Sequence, residues 1–404
     1  MIKLSVNFNS RVSDVRFEQV IQVKEKLVVA FPHIEFEFRQ ENPTSEHVQM
    51  WIASNNVPDI LVIDSMRSRS LAKEGLLQNL DVLVNRHGTD LSRFEPGCLS
   101  TSLAQGDGVL YVFPYERQAF PLFYNKDIFD WFGMPYPRDG MTWDEVIELA
   151  QRVTGVVDGS AYQGLNTADT LAILKSQLSE NTVAPHTDNA NVMTDGWRKI
   201  ADVFKRIYSI PGNMPVDPRN MFRFNGHFGR DKVVAMGIIC AKCLEDTFNS
   251  FNWDMVSLPV FSDAPGIGPN FPWISESIAM SSTCRESDAA FEVMSYLVSD
   301  EFQLHKSRNG FVSCLKDREM YRQFAQNISV YEHKNTEALA VNTLAEPILE
   351  RSKYETLPAV TNCVVNAFVE MVQKDKDIEL VLEELQQNIN KIIESEKANA
   401  VASL

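Results

Sequence analysis

The regular alternation of short apolar segments with amphipathic helices is the feature that most restricts the fold of this sequence. Residues 2–8 alternate as a strand, and apolar residues then recur at helical spacing from Phe17 to Phe31, where Pro32 ends the helix. Residues 34–38 alternate again, a short helix covers residues 48–53, and the apolar run 60–63 predicts a buried strand. This β-α-β-α-β order favours a mainly parallel sheet with helices on both faces.

The same alternation returns later in the chain. Thr142 and Glu145 have the spacing of a capping box before an amphipathic helix, and a second helix begins at Thr194. Trp143 and Trp197 lie on the apolar faces of these two helices, which predicts that both are core residues. Residues 233–239 predict another buried strand. The fold class is therefore expected to be α/β.

The length of 404 residues favours two domains over one. Strand-like runs give way to turns at Pro114, at Pro259 and near Gly310, which makes these places candidate crossings between two lobes. We therefore expect an N-terminal lobe of residues 1–113 and 260–312, and a C-terminal lobe of residues 114–259 and 313–404.

Charge and hydropathy exclude two classes of partner. The chain has 38 Lys and Arg residues against 54 Asp and Glu residues, a formal net charge of −16, whereas nucleic acids and anionic membranes require a basic face. The longest apolar run, from Val233 to Cys240, is far shorter than the ~20 residues of a transmembrane helix.

No motif predicts a catalytic residue, a metal site or a cofactor. The sequence has no G-x-S-x-G elbow, no phosphate-binding G-x-x-x-x-G-K and no H-E-x-x-H. The 6 cysteines are too sparse for a disulfide framework, and Cys240 and Cys243 have neither a second C-x-x-C nor a nearby His pair that would complete a zinc site. A pair of carboxylates brought together by the fold, as in a glycosidase, stays open.

Trp273 lies in a polar loop between Asn270 and Glu276. A tryptophan beside amide and carboxylate groups suits a sugar, which has an apolar ring face and a rim of hydroxyls. A tryptophan that closes the loop onto its own lobe explains the pattern equally well.

Several strings resemble one family in their order and spacing. Residues 107–115 (DGVLYVFPY) and 122–129 (LFYNKDIF) are similar to the pattern DGxxYxxPY…LxYNKDLF of the extracellular solute-binding proteins of carbohydrate ABC transporters, the family that includes the maltose-binding protein. Residues 142–145 (TWDE), 58–60 (PDI) and 75–80 (GLLQNL) resemble further motifs of that family. Together with residues 228–236 and 253–259, the resemblance runs over nearly the whole chain.

The resemblance implies a two-lobed periplasmic-binding-protein-like fold with a ligand cleft between the lobes. It further implies a monomeric, non-enzymatic substrate-binding subunit that closes on a carbohydrate and delivers it to membrane permease subunits. The implied location is extracellular or periplasmic, with a lipid anchor in the native form. Residues 1–8 lack the charged and apolar regions of a signal peptide, so the chain resembles a mature form without export signal or anchor cysteine.

Ligand contacts in the family come from loops that follow strands. Carried over to this sequence, the resemblance implies the ligand-binding residues Asn9, Arg11, Asp64, Met66, Arg67, Glu116, Arg117, Gln118, Lys242, Trp273, Glu276 and Asn362.

The basic members of this set, Arg11, Arg67, Arg117 and Lys242, leave the charge of the ligand open. An acidic oligosaccharide could pair its carboxylates with guanidinium groups, and a neutral oligosaccharide could accept hydrogen bonds from them. Two alternatives of function also stay open: a glycoside-processing enzyme with an unmarked carboxylate pair, and a sugar sensor that acts on a signalling partner.

Overall fold

The computed structural model describes residues 2–9, 14–167, 170–215, 217, 218, 221, 227–241, 246–269, 274–346, 348 and 350–402. The strands of this part of the chain are β1 (Ile2–Phe8), β2 (Ile34–Gln40), β3 (Ile60–Ile63), β4 (Val112–Arg117), β5 (Leu122–Asn125), β6 (Gly155–Val157), β7 (Ser160–Thr167), β8 (Val234–Ile238), β9 (Trp253–Val256), β10 (Ile267–Gly268), β11 (Ile274–Met280) and β12 (Thr343–Leu344).

The α-helices are α1 (Asp14–Ala30), α2 (Ser45–Ala53), α3 (Ser65–Lys73), α4 (Asp81–His87), α5 (Pro96–Gln105), α6 (Lys126–Phe132), α7 (Trp143–Arg152), α8 (Thr170–Gln177), α9 (Asp195–Tyr208), α10 (Ser287–Leu297), α11 (Asp300–Arg308), α12 (Glu319–Arg322), α13 (Pro358–Gln373) and α14 (Ile378–Ala402). Among the residues described, no helix is both long and apolar enough to cross a membrane.

The chain forms two compact units. Unit 1 comprises Met1–Gln118 and Pro272–Glu332, and unit 2 comprises Ala119–Phe271 and His333–Leu404. The chain therefore changes unit after Gln118, Phe271 and Glu332, whereas the turns in the sequence suggested Pro114, Pro259 and the region of Gly310. Pro114 itself lies inside β4, where it pairs with Ser277 of β11.

The sheet of unit 1 has the strand order β2-β1-β3-β11-β4. β1 pairs in parallel with β2 and with β3, while β11 is antiparallel to both β3 and β4. Since β11 separates them, β3 and β4 point in the same direction. The carboxyl ends of β1, β3 and β4 therefore lie at one edge of the sheet, together with the amino end of β11.

The main sheet of unit 2 has the order β6-β7-β8-β5-β9. β7 and β8 are parallel, but β5 is antiparallel to both β8 and β9, and β6 is antiparallel to β7. A separate parallel pair joins β10 and β12.

The α/β class is confirmed, but the sheets are mixed and not mainly parallel. Parallel neighbours need a crossover connection, usually a helix, and β1, β2 and β3 are joined in that way by α1 and α2. β11 reaches unit 1 from unit 2 without a crossover helix, so it pairs with its neighbours in the antiparallel sense.

The predicted local features of unit 2 are confirmed. The Thr142 hydroxyl accepts a hydrogen bond from the Glu145 amide at 3.2 Å, and the Glu145 carboxylate accepts one from the Thr142 amide at 2.8 Å, which completes the capping box of α7. Thr194 caps α9 through the amide of Trp197. Trp143 and Trp197 are both buried in the apolar core of the unit.

Candidate site in unit 1

Polar side chains collect at the edge of the unit 1 sheet where the carboxyl ends of β1, β3 and β4 lie. Asn9 directly follows β1, and Asp64 directly follows β3. Glu116 is the second-last residue of β4, and Glu276 is near the amino end of β11. Ligands of open α/β sheets bind at the carboxyl ends of strands, because polar groups of separate segments meet there. This edge is therefore the candidate site in unit 1.

A cavity that is partly open to solvent lies at this edge. It brings together three residues of the predicted ligand-binding set, Asn9, Glu116 and Glu276. The rest of the lining comes from neighbouring strand residues, α1 and the region of α11: Phe8, Val20, Gln22, Val23, Val62, Tyr115, His305, Lys306, Asn309 and Phe311.

A buried ion pair dominates the electrostatics of this cavity. The Nζ atom of Lys306 lies 3.4 Å from Oε2 of Glu116, and the two side chains are 6% and 0% exposed. The same ammonium lies 3.2 Å from the centroid of the Tyr115 ring and 4.8 Å from that of Phe311. A cation over an aromatic face is stabilised by the ring quadrupole, most strongly where water is excluded.

Glu276 adds a second carboxylate beside the first. It is the cross-strand partner of Glu116 in the β4–β11 pairing, at a point where the register shifts on both sides of Glu276. Side chains opposite each other on antiparallel strands have Cβ atoms about 5 Å apart. Burial, followed by the charges of Glu276 and Glu116, raises the pKa of the Tyr115 phenol well above its ordinary value, so this hydroxyl stays protonated.

The helix that carries Lys306 is fixed against β4 by a buried glutamine. The Gln303 side-chain amide donates to the Tyr115 carbonyl at 3.3 Å and to the Leu297 carbonyl at 3.0 Å, and it accepts from the Ser313 hydroxyl at 2.8 Å. These bonds place the last turn of α11 beside the strand that holds Glu116. The geometry of the ion pair therefore rests on a second layer of buried hydrogen bonds.

The lining offers hydrogen-bond groups of several kinds. Ionised carboxylates only accept, the amides of Asn9 and Asn309 donate and accept, and the lysine ammonium only donates. Burial, with the nearby charges of Lys26 and Arg308, lowers the pKa of His305, which keeps its imidazole neutral near pH 7. Such a mixture of acceptors, amides and aromatic rings can bind a small ligand rich in hydroxyl groups.

The other residues of the predicted set lie elsewhere or outside the description. Asp64 directly precedes α3 and is half-buried, as is Arg67. The backbone amide of Arg67 donates to the Asp64 carbonyl at 2.9 Å. Gln118 is half-buried at the end of the first stretch of unit 1, and Asn362 is exposed on α13 in unit 2. Residues outside the described part of the chain are Arg11, Lys242 and Trp273, and the side chain of Met66 is not described either.

Arg117 is placed away from the cavity. Its side chain is not among those that line the cavity of unit 1. Arg117 is buried, donates to the Tyr321 hydroxyl at 3.2 Å and lies over the Tyr321 ring at 5.4 Å. Although burial opposes it, the neighbouring Tyr321 and Cys98 raise the pKa of Arg117 above its ordinary value, so the guanidinium stays charged.

Sequence reasoning missed the partners of Glu116. Tyr115 stands within the string DGVLYVFPY, but only the residues after it were taken as contacts. Lys306 is 190 residues from Glu116 and belongs to no motif, so nothing in the sequence signalled that the two side chains meet.

A second, wider cavity lies on unit 2, but its charged groups are paired with one another. It is lined in part by Asp144, Lys199, Arg206 and Asp263. Lys199 bonds to Asp263, and Arg206 bonds to Asp144 at 2.5 Å. This arrangement is that of surface ion pairs and does not single out a ligand.

Residues 22–203 match the model of the family described as bacterial extracellular solute-binding protein. This match, over less than half of the chain, agrees with the family resemblance seen in the sequence. Among curated relatives of the solute-binding family, the sn-glycerol-3-phosphate-binding periplasmic protein UgpB of Rhizobium meliloti (strain 1021) is 27% identical over 134 residues. That alignment covers 33% of this chain and 30% of the relative's length.

Solved solute-binding proteins share the fold over nearly the whole chain. A sugar transporter from Rhizobium etli in an open conformation superposes with a TM-score of 0.73 at 16% identity, covering 96% of this chain and 99% of that one. The sugar-binding protein MalE from Xanthomonas citri superposes with a TM-score of 0.70 at 16% identity, covering 98% of both chains. At this identity the likeness establishes a two-lobed solute-binding fold.

Proposed function

We propose that this chain is the substrate-binding subunit of an ABC importer, and that it binds a carbohydrate and delivers it to a membrane permease. The family match and the shared fold support the receptor role, since the matched proteins are binding proteins and not enzymes. The observation that carries the ligand class is the cavity of unit 1, where Asn9, Glu116 and Glu276 meet beside aromatic rings.

The proposed ligand is a neutral, hydroxyl-rich sugar. Sugar hydroxyls donate well to carboxylates, and hydrogen bonds to charged groups contribute about 1.5–3 kcal/mol each. Lys306 already contacts Glu116 at 3.4 Å, so its ammonium is engaged inside the protein. An anionic ligand would have to compete with that carboxylate for the same cation.

A second candidate ligand is sn-glycerol 3-phosphate. The specific observation that favours it is the curated relative from Rhizobium meliloti, whose name states that it binds this compound. A glycerol phosphate also carries hydroxyl groups, so the two ligand classes differ mainly in the negative charge.

Thermal unfolding of the full chain against neutral oligosaccharides, uronate oligosaccharides and sn-glycerol 3-phosphate tests the proposal. A ligand at about 100 times its Kd adds about 2.7 kcal/mol to the stability of the native state. Calorimetry on each hit gives the Kd, and chromatography of the ligand afterwards shows whether it is intact. A neutral sugar that binds and stays intact supports the proposal, whereas a cleaved sugar overturns the receptor role.

Glu116→Gln examines the site itself. Removing the charge that receives hydroxyl donors should weaken sugar binding about 10- to 100-fold, in line with the loss of one charged hydrogen bond. The matched control is Glu292→Gln on the exposed side of α10 in the same unit, which should bind as the wild type does. Equal affinity of both variants and the wild type would remove Glu116 from the binding site.

The cellular location follows from the family, which is one of extracellular proteins. We propose in addition that the native protein is held at the membrane by a lipid anchor. The protein should then stay with the membrane fraction in high salt and be released by detergent. Release by salt alone would contradict the anchor.

A further inference from the structure

Two buried thiols of unit 1 lie on segments that are hydrogen-bonded to each other. Cys98 is in the first turn of α5, and Cys314 lies between α11 and α12. Both residues are 1% exposed, and both are thiols in this structure. The neighbouring Cys314 thiol, followed by burial, raises the pKa of the Cys98 thiol well above its ordinary value.

The backbone, and not only the choice of rotamers, brings these residues together. The Glu95 amide donates to the Cys314 carbonyl at 2.8 Å, while the Cys98 amide donates to the Glu95 carbonyl and to its Oε2 atom, each at 3.0 Å. Beside them, Phe94 and Leu315 form an antiparallel bridge. The two segments are therefore held in register on both sides of the cysteines.

We propose that Cys98 and Cys314 form a disulfide bond in the native protein. Proteins outside the cytoplasm fold in an oxidising environment, where paired thiols are converted to disulfides, and the family of this chain is extracellular. A disulfide requires two cysteines whose Cα and Cβ atoms are close, and the hydrogen bonds through Glu95 bring the backbone of these two cysteines together.

The reaction is a thiol–disulfide exchange with a small-molecule or protein disulfide as the oxidant. The Cys98 or Cys314 thiolate attacks one sulfur of the oxidant and gives a mixed disulfide, and the second cysteine then displaces the oxidant from it. The Sγ–Sγ bond of the protein forms and the S–S bond of the oxidant breaks. The two cysteines lose two protons and two electrons in total. The oxidant takes them up and leaves as two thiols.

The bond would have a structural effect specific to this topology. Unit 1 is made of two stretches, Met1–Gln118 and Pro272–Glu332, with most of unit 2 between them in the sequence. Cys98 belongs to the first stretch and Cys314 to the second. A disulfide between them closes a very long loop, and cross-links of long loops restrict the unfolded chain most.

The test is oxidative refolding of the full chain. The reduced, denatured protein is refolded with oxidised and reduced glutathione, then denatured again, alkylated and digested for mass spectrometry. We expect one pair of joined peptides, containing Cys98 and Cys314, with Cys284 alkylated. Alkylation of both Cys98 and Cys314 after refolding, or their joining to other cysteines, would overturn the proposal.

Thermal unfolding with and without dithiothreitol gives a second readout that needs no variant. Reduction should lower the unfolding midpoint of the oxidised wild type by about 5–15 °C. Cys98→Ser and Cys314→Ser should lose this dependence on the reductant, while the matched control Cys284→Ser in the same unit should keep it. The same midpoint for oxidised and reduced wild type would contradict a structural bond.

Discussion

Replacing Lys306 by methionine should destabilise unit 1 strongly, because it removes a cation that lies 3.4 Å from a fully buried carboxylate. Methionine keeps most of the length and apolar volume of the lysine stem, so the change acts mainly on the charge. Glu116 is fully buried and lies 3.4 Å from the ammonium, which also covers the ring of Tyr115.

The size of the effect follows from these distances. Two unit charges 3.4 Å apart attract each other by about 5 kcal/mol at an effective dielectric constant of about 20. Breaking a buried pair by removing one partner costs about 3–5 kcal/mol in proteins, since the remaining charge stays buried. Loss of the cation–π contact with Tyr115 acts in the same direction. We therefore expect the free energy of unfolding to fall by about 3–5 kcal/mol.

The destabilisation should depend on pH and on the second partner. In Lys306→Met, Glu116 can lose its charge by taking up a proton, so the destabilisation should shrink as the pH falls from about 8 to about 5. In the double variant with Glu116→Gln no charge is buried, and stability should return toward that of the wild type. The coupling free energy of this double-mutant cycle measures the interaction energy between Lys306 and Glu116.

Urea unfolding followed by circular dichroism, at both ends of this pH range, measures these quantities. Lys316→Met, at an exposed position of unit 1, is the control and should change the stability by no more than about 0.5 kcal/mol. The experimental error of such extrapolations is about 1 kcal/mol. A Lys306→Met variant whose stability lies within that error of the wild type would refute the reasoning. A double variant Lys306→Met with Glu116→Gln that is no more stable than Lys306→Met would also refute the reasoning.

Three further predictions concern single groups. Thr142→Ala removes the hydroxyl that accepts from the Glu145 amide and should cost about 1 kcal/mol in thermal unfolding. Trp197→Ala opens the fully buried core of unit 2 and should cost about 3–5 kcal/mol, measured in urea. His305 has a lowered pKa in the folded protein, because of burial and two nearby basic side chains. Since the unfolded chain then binds more protons, stability should fall as the pH drops below about 6.5, and His305→Gln should reduce that slope.

The features that the sequence predicts correctly are those set by neighbours along the chain. A capping box needs only Thr142 and Glu145, three positions apart, and its geometry is independent of the remaining fold. The apolar run of β3 and the apolar helix faces that carry Trp143 and Trp197 are likewise local patterns.

Residues 260–312 were expected in the first lobe, but the pairing of strands from distant segments was not predicted. The antiparallel insertion of β11 between β3 and β4 brings a strand from a separate stretch of the chain into the first sheet. No periodicity in residues 274–280 encodes which strands lie beside them. The hydrogen bonding of the Cys98 segment with the Cys314 segment depends on the same return of the chain to unit 1.

The candidate site contains features that could be predicted from the sequence and features that could not. Asn9 and Glu116 could be placed because residues that follow or end neighbouring strands meet at one edge of a sheet. The run Glu116, Arg117 and Gln118 was treated as one loop, but β4 continues to Arg117, whose side chain bonds to Tyr321 and does not line the cavity.

The buried pair also restricts the ligand by an energetic argument. For an anion to bind through Lys306, the ammonium would have to turn from Glu116, which breaks a buried ion pair at a cost of about 3–5 kcal/mol. That cost corresponds to a loss of about 10²- to 10³-fold or more in affinity. A sugar hydroxyl can instead donate to Glu116 while the ammonium keeps its place over Tyr115. A hydroxyl donor can therefore bind without separating Lys306 from Glu116, whereas an anion cannot. For this reason the site favours hydroxyl donors over anions.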